Sequence, residues 1–435
     1  MENTKEVKKN KMKNKIEAKN FTVKELLDIE SCTRCGNCST LCCAYEGSSD
    51  IEVSPATKIS LIKKRLDFKY SLLGRITGRR EIKESELKEL EKAAFQCTLC
   101  GRCEVNCPVN IDLKDIWLSI RENLVKEGRY PESLDMLRNM LLKGKNISFE
   151  SNEARIDWIN QVENIPEDRY LKKEAEVVYF VGCVSSYSPR VFKIPRSAVK
   201  LFQKAEIDFA LMGEDEWCCG FPLLGAGFKE DAMSFAEHNI QAVNARKAKF
   251  LVASCPTCYH MWKHVYPQMA EGIKNVYTYP KPVLQEKFNF EVLQEVELFL
   301  KLVKEKRFQL KPLNKKITYH DPCDLGRNSG IYDPPREIIN SIPGVDFIEL
   351  KHNREDAKCC GGGGNVEAVS TELSEKIAKI KVEEIIETGA EIVVSSCQQC
   401  VRTIAGALKR EKSKIKSMDI AELLLTSIEG SEDNV

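Results

Sequence analysis

The distribution of cysteine most constrains how this 435-residue chain can fold. Nineteen cysteines fall in two zones, nine between Cys32 and Cys107 and ten between Cys183 and Cys400. A disulfide scaffold is a short chain with roughly 8–10% cysteine, whereas this chain is long and its cysteines are clustered. Clustered thiols in such a chain are typical of metal binding in a reducing compartment. We therefore expect metal sites and no disulfide framework.

The second zone is an internal repeat. In each half a single cysteine is followed by an adjacent pair and then by a Cys-x2-Cys motif. The positions are Cys183, Cys218, Cys219, Cys255 and Cys258 in the first half, and Cys323, Cys359, Cys360, Cys397 and Cys400 in the second. The three blocks recur after 140, 141 and 142 residues, which indicates a duplicated domain.

Strand-like apolar runs precede several of these cysteines, at 177–181, 250–253, 317–320 and 392–394. Helical patterns separate them, at 195–205, 230–247, 335–341 and 372–388. Alternating strands and helices predict a parallel α/β sheet in each half. In such sheets the residues just past the carboxyl ends of the strands form the site, so we expect the cysteines to lie there.

The first zone contains two copies of the spacing Cys-x2-Cys-x2-Cys-x3-Cys, which is that of bacterial ferredoxins. In that pattern the fourth cysteine binds the other cluster. We assign one 4Fe–4S cubane to Cys32, Cys35, Cys38 and Cys107, and a second to Cys97, Cys100, Cys103 and Cys42. Structural zinc normally uses separated Cys-x2-Cys pairs. Cys43 stands where the second copy has Pro108; it is either a buried spare thiol or a ligand in place of Cys42.

Each half of the repeat offers five thiols, one more than a cubane or a zinc ion needs. Adjacent cysteines can bracket two irons of an extended cluster. Glycines follow each pair, as Gly220 in the first half and as a run from Gly361 and Gly362 to Gly364 in the second. Glycine lets the backbone approach a cluster, and successive N–H groups can donate to its sulfur. The alternative for the run is a flexible linker.

These motifs resemble the cysteine-rich CCG domain of the heterodisulfide reductase catalytic subunit. The whole arrangement is similar to the catalytic subunit of the membrane-type heterodisulfide reductases, from about residue 21 to residue 425. The resemblance implies two non-cubane 4Fe–4S clusters, each with the five cysteine ligands of one half. It implies an α+β fold, in which a mostly helical two-cluster ferredoxin-like domain precedes two α/β CCG domains with parallel sheets. We expect a basic tail at 1–20, the ferredoxin-like domain at 21–125, a helical connector at 126–174, and CCG domains at 175–310 and 311–435.

The resemblance also implies an oxidoreductase that receives electrons through the cubanes and reduces a small disulfide at the paired non-cubane clusters. That reaction needs protons, and His320, His260 and Asp324 lie close to the cysteines in sequence. Relatives commonly have histidine at the position of Asp324. An aspartate there would still relay protons if burial raised its pKa. Arg327, Arg354 and Lys358 are candidates to bind a substrate anion or are ordinary surface charges.

Two alternatives stay open. The chain resembles the electron-transfer subunit of flavin-dependent dehydrogenase complexes, of the glycolate, lactate or glycerol 3-phosphate type, and also the cytoplasmic arm of a membrane complex of sulfur metabolism. The complete set of ten cysteines favours disulfide reduction, and Asp324 favours the others. The expected partner is a b-type cytochrome membrane subunit or a flavoprotein, because the chain has no nucleotide-binding fingerprint of its own.

Composition excludes some classes of protein. The net charge of +1 argues against nucleic-acid binding through bulk positive charge. The mean hydropathy is −0.34 and the sequence has no 18-residue apolar run, so we expect no transmembrane segment. The lysine-rich N-terminus lacks the apolar stretch of a secretory signal. We expect a cytoplasmic protein that a partner can hold at the inner face of the membrane.

Overall fold

The structure, a computed structural model, describes residues 17–70, 76, 83–271 and 288–430. Residues 1–16 of the predicted basic tail lie outside the described residues. The N-terminal part is helical, with helices Val23–Ser31, Asn37–Thr40, Cys43–Ser48, Pro55–Tyr70, Glu84–Phe95, Arg102–Val105 and Leu113–Lys126. The first helix begins at a capping box, in which Thr22 accepts the Glu25 N–H and the Glu25 carboxylate accepts the Thr22 N–H.

The helical part is held together by apolar stripes at helical spacing. In the helix Leu113–Lys126, Ile116, Ile120 and Leu124 recur every four residues and are fully buried. They belong to one apolar core with Phe95 and Leu90 of the helix Glu84–Phe95. Cys97 and Cys103 are part of this core, and Cys32, Cys38 and Cys107 pack against it.

Two four-stranded parallel sheets follow. The strands of the first are β1 (Val177–Phe180), β2 (Phe209–Leu211), β3 (Phe250–Ala253) and β4 (Glu291–Gln294), in the order β2-β1-β3-β4. Those of the second are β5 (Lys316–Tyr319), β6 (Asp346–Glu349), β7 (Ile392–Ser395) and β8 (Lys416–Asp419), in the order β6-β5-β7-β8. All pairings are parallel. The predicted α+β fold with parallel sheets is confirmed.

Helices connect the strands and pack against the sheets. Those of the first half are Cys183–Tyr187, Lys193–Lys204, Phe221–Ala226, Lys229–Asn244, Pro256–His260, Tyr266–Glu271 and Glu295–Lys304. Those of the second are Asp333–Ser341, Val366–Val369, Thr371–Glu387, Gln398–Arg410 and Ile420–Glu429. One apolar core contains Tyr179 and Phe202 of the first half together with Ile317 and Ile392 of the second. The two halves therefore share a core.

The predicted connector contains the helix Glu132–Gly144 and a 3-10 helix at Asn152–Gln161. The 3-10 helix packs against the first sheet's core through Trp158 and Ile159, which are fully buried. No helix among the described residues has both the length and the apolar character needed to cross a membrane.

The strand order places the cysteines. In each sheet the chain reverses direction across the sheet between the two central strands, β1 and β3 or β5 and β7. Loops that leave such neighbouring strands diverge and open a crevice at their carboxyl ends. Cys183 and Cys255 follow β1 and β3, and Cys323 and Cys397 follow β5 and β7.

Candidate metal centre

All ten cysteines of the repeat line one cavity of about 550 Å³. Nine of them are buried and Cys323 is half-buried, and none forms a disulfide. Apolar side chains complete the walls, among them Leu99 of the ferredoxin-like part and Leu137 of the connector. The cavity therefore collects both five-cysteine sets in one place that three parts of the chain enclose.

The two sets face each other. The thiols of Cys255 and Cys397, each the first of its Cys-x2-Cys motif, contact one another across the boundary between the halves. Beside them, the Gln398 side-chain amide donates to the hydroxyl of Ser254. The sequence repeat predicted two matched sites, and the structure shows that they are adjacent.

The thiols form an unbroken series of contacts from the ferredoxin-like part into the cavity. In order, the series is Cys100, Cys359, Cys360, Cys400, Cys397, Cys255, Cys258, Cys219, Cys218 and Cys183. The Cys360 and Cys400 sulfurs are 3.3 Å apart. The second half thus lies next to a predicted cubane ligand, and the first half lies at the far end of the series.

Interactions between the thiols lower the pKa of Cys219, Cys255 and Cys360, whereas the pKa of each of the other seven cysteines of the repeat is raised. Hydrogen bonds from Cys218 and Cys258 lower the pKa of the Cys219 thiol to about 6. Hydrogen bonds from neighbouring thiols likewise hold the pKa of Cys360 well below its ordinary value. The backbone N–H of Gly361 donates to the Cys359 sulfur at 3.3 Å. Cysteine sulfurs are the ligands of iron–sulfur clusters, so a cavity lined by ten free cysteines fits such clusters.

The glycine run is packed tightly. Gly361 has φ +93°, and a Cβ there would lie 2.5 Å from the Ser374 carbonyl oxygen. A Cβ on Gly364 would lie 2.5 Å from the Cys97 carbonyl oxygen. The run therefore presses the second half against the ferredoxin-like part, which excludes the flexible-linker alternative. Gly220 has φ +79°, and Gly362 lines the cavity.

The first zone forms two groups of thiols. Burial raises the pKa of the Cys38 thiol, and the charges of Cys32, Cys35 and Cys107 raise it further. Burial and then the charges of Cys97, Cys100 and Cys42 raise the pKa of Cys103. The neighbours of each thiol thus follow the crossed pattern of ferredoxins, in which the fourth cysteine joins the other group. Cluster binding by these groups stays a prediction.

Cys42 and Cys43 point to different neighbours. Cys42 interacts electrostatically with Cys97 and Cys100. Cys43 is 3% exposed, its sulfur accepts the Cys359 N–H at 3.4 Å, and its thiol contacts Cys100. Cys43 is thus a buried thiol wedged between a predicted cubane ligand and the second half of the repeat.

Of the three predicted proton donors, only Asp324 lines the cavity. His320 is fully buried behind Cys360, whose thiol it contacts, and burial lowers the pKa of His320. His260 lies outside the cavity, 3.4 Å from Lys114 Nζ and 3.3 Å from Ser329 Oγ. Their roles as proton donors stay predictions.

The condition under which Asp324 would relay protons, a pKa raised by burial, is not met. Burial alone would raise it, but the charges of Lys114 and His260 bring the pKa below its ordinary value, helped by two hydrogen bonds. Thr257 Oγ1 and Asn328 Nδ2 each donate to its carboxylate at 2.6 Å. Lys114 Nζ is 3.7 Å from Asp324 Oδ1. This side chain is therefore held as a carboxylate.

None of the three predicted anion-binding cations lines the cavity. Arg327 donates to backbone carbonyls, including that of Cys100 at 2.8 Å. Lys358 pairs with Glu46 and Arg354 with Asp333. The cavity's cation among the described residues is Arg402, which pairs with Glu367.

Two buried arginines near the cysteines are not indicated by any sequence motif. Arg155 of the connector donates to the Cys183 sulfur at 3.5 Å and pairs with Glu216. Arg121 donates to four carbonyls that belong to the ferredoxin-like part and to both halves of the repeat. No local pattern marks either residue, because both contacts depend on how distant segments pack.

Two family models match the chain. One, described as a cysteine-rich domain, matches residues 177–263 and 317–405, and the other, described as a 4Fe-4S dicluster domain, matches residues 28–111. Together with the cavity of ten free thiols, these matches define the class of the protein. It is an iron–sulfur oxidoreductase with a dicluster domain and two cysteine-rich domains.

Relatives narrow the class. The chain is similar to the subunit designated D of the dihydromethanophenazine:CoB–CoM heterodisulfide reductase of Methanosarcina acetivorans, with 32% identity over 95% of this chain and 97% of the relative. It is also similar to the EtfAB:quinone oxidoreductase of Syntrophomonas wolfei, with 29% identity over 94% of this chain and 59% of the relative. Bacillus subtilis FadF, a probable iron–sulfur-binding oxidoreductase, is 26% identical over 95% of this chain and 61% of the relative. The chain belongs to the family of the heterodisulfide reductase subunit from Methanosarcina.

Proposed function

We propose that this chain is the disulfide-reducing subunit of a complex of the heterodisulfide reductase type. One observation carries the proposal: the two five-cysteine sets line a single cavity and touch through Cys255 and Cys397. Disulfide reduction follows RSSR′ + 2e⁻ + 2H⁺ → RSH + R′SH. Two matched one-electron sites beside one cavity suit this two-electron reaction.

The cofactors we propose are two cubanes, held by the two groups of the first zone, and two non-cubane 4Fe–4S clusters, held by the five cysteines of each half. Such clusters supply one-electron transfer. The chain's own residues hold and shield them. The thiols are the ligands, the Gly361 N–H donates to the Cys359 sulfur, and apolar walls such as Leu99 exclude water. The order of thiol contacts leads from Cys100 to the second half and then to the first.

The proposed substrate is a small disulfide, for which a cavity of about 550 Å³ has room. The proposed electron source is a partner subunit, either a b-type cytochrome of the membrane or a flavoprotein. The similarity to a protein that is itself named as a subunit supports a partner, and the lack of a nucleotide-binding fingerprint supports a separate flavin carrier if flavin is used.

Electron paramagnetic resonance tests this function. The protein is purified without oxygen and oxidised in the presence of candidate thiols. We expect a thiol-induced paramagnetic signal from the cavity. Cys360→Ser should abolish the signal and disulfide reduction, yet leave the clusters of the first zone reducible by dithionite. Cys43→Ser, a matched change at a buried cysteine outside the proposed ligand set, should keep both. A fully loaded protein that gives no signal with any thiol would contradict the proposal.

A second candidate is an electron-transfer subunit for a flavin-dependent dehydrogenase. The pairing of Arg402 with Glu367 favours it, because the described cavity then offers no free cation to a charged disulfide. Similarity to the EtfAB:quinone oxidoreductase also supports it. Reoxidation of a reduced flavoprotein by this chain, with no effect of thiols on the paramagnetic signals, would favour this candidate.

A further inference from the structure

The two halves of the repeat differ at one buried ion pair. In the first half, Arg155 Nη1 lies 2.7 Å from Glu216 Oε1, and the side chains are each 1% exposed. Glu216 stands two residues before the cysteine pair of its half, and the corresponding residue of the second half is Ala357. The repeat therefore keeps all ten thiols but only one copy of this ion pair.

The ion pair is built onto the cysteine loop. Glu216 Oε1 accepts the Gly182 N–H at 2.8 Å, and Oε2 accepts the Val181 N–H at 3.1 Å. These two residues directly precede Cys183. Arg155 Nη2 in turn donates to the Cys183 sulfur at 3.5 Å. The guanidinium thus donates from Nη1 to a carboxylate and from Nη2 to a predicted cluster ligand.

The arginine comes from outside the repeated unit. It lies on the 3-10 helix Asn152–Gln161 of the connector, before the first segment of the repeat at residue 177. Asn152 Oδ1 accepts from its Nε at 3.3 Å, so the guanidinium is held in a fixed orientation. Among the described residues of the second half, Arg327 interacts electrostatically with Cys323, the counterpart of Cys183, but the hydrogen bonds of its guanidinium go to three backbone carbonyls.

A hydrogen bond from a cation to a ligand sulfur favours the more negatively charged oxidation state of the cluster. Reduction adds an electron to a cluster, so such a donor raises the reduction potential. We propose that Arg155 is a positioning residue that raises the potential of the cluster held by the first half and so makes the two cavity clusters unequal. This inference rests on the cluster assignment of the proposed function.

The test is a redox titration of the anaerobically purified chain, followed by electron paramagnetic resonance, with iron counted in every variant. Replacing both members of the pair, in Arg155→Gln with Glu216→Gln, keeps the residues similar in length and removes both buried charges. We expect the reduction equilibrium of one cavity cluster to fall about tenfold, which for one electron is about 59 mV. The other clusters should keep their potentials.

Glu216→Gln alone should shift the reduction potential of that cluster in the opposite direction. It leaves the guanidinium on Cys183 without its counter-charge, so the same potential should rise. Arg246→Gln is the matched control, because Arg246 is a buried arginine of the same half that pairs with Asp215 and no sulfur; it should change no potential. Arg155→Lys takes the place of the double variant if that variant loses iron. Lysine keeps the charge but has one nitrogen in place of the forked Nη1 and Nη2 that donate to Glu216 and Cys183, so the same potential should again fall.

The outcomes separate the two claims. Full iron loading with unchanged potentials, or shifts of the same sign in both variants, would overturn the role of Arg155 and leave the proposed function standing. Wild-type protein without iron in the cavity would overturn the proposed function and this inference together. A merely structural role for Arg155 would lower stability without opposite shifts in potential.

Discussion

Replacing Arg121 by methionine should loosen the junction of the three cysteine-bearing parts of the chain. This fully buried side chain donates from Nε to the Ala94 carbonyl at 2.9 Å and from Nη2 to that of Cys97 at 2.6 Å. Its Nη1 donates to Gly225 of the first half and to Gly364 of the second. One guanidinium thus joins the ferredoxin-like part to both halves of the repeat.

The magnitude follows from the four carbonyls. Each buried carbonyl left without its donor costs about 1–3 kcal/mol. Methionine also removes a guanidinium that is itself costly to bury, as the pKa of Arg121, lowered by burial to about 10, indicates. We therefore expect the lower end of the range, about 4 kcal/mol, or about a thousandfold in a local opening equilibrium.

Hydrogen–deuterium exchange resolves the effect by segment. We expect faster exchange in three places at once, near Ala94–Cys97, Gly225 and Gly364. Arg410→Met is the control, because its pairing with Glu375 is at the surface and is worth about 0–1 kcal/mol. A change below about 1 kcal/mol in Arg121→Met, or one confined to a single segment, would refute the reasoning.

Three further predictions concern single residues. Cys42→Ser should remove about four irons, one cubane, whereas Cys43→Ser should remove none; iron analysis with the reverse result would make Cys43 the ligand. Gly364→Ala should lower the thermal midpoint far more than Gly36→Ala, because both glycines have positive φ but only at position 364 would the added Cβ lie 2.5 Å from a carbonyl oxygen. Equal shifts would contradict this. Burial raises the pKa of both Glu295 and Asp419; the charge of Asp419 raises that of Glu295 further, and the charges of Glu422 and Cys255 raise that of Asp419. The native state then keeps protons that the unfolded chain loses above about pH 4–5, so the free energy of unfolding of the wild type falls as the pH rises. Between about pH 5 and pH 8, the free energy of unfolding of Asp419→Asn, measured by denaturant titration, should therefore increase relative to that of the wild type. Parallel curves for the two proteins would refute this.

The sequence was sufficient to predict the central strands of the two sheets but not the edge strands. β1, β3 and β7 are apolar runs because strands in the middle of a parallel sheet are buried on both faces. β6 and β8 carry Asp346, Glu349 and Lys416, and each is partly exposed at the edge of its sheet. An edge strand needs no apolar run, so its sequence resembles a loop.

The site shows a similar division. The spacing of the cysteines was enough to identify them as candidate ligands, because cluster binding constrains that spacing. Closeness in sequence to Cys258 does not bring His260 into the cavity, because two residues along the helix Pro256–His260 turn a side chain away. Arg155 and Arg121 reach the site from segments without any motif. Their positions depend on tertiary packing, which no periodic pattern in the sequence indicates.

Metal and sulfide analysis of the anaerobically purified chain tests the central claim most directly. Four clusters of four irons predict about 16 irons and 16 sulfides per chain, with about half of each lost in Cys360→Ser combined with Cys219→Ser. Protein that carried zinc, cystine bridges, or only the iron of the first zone would contradict the account.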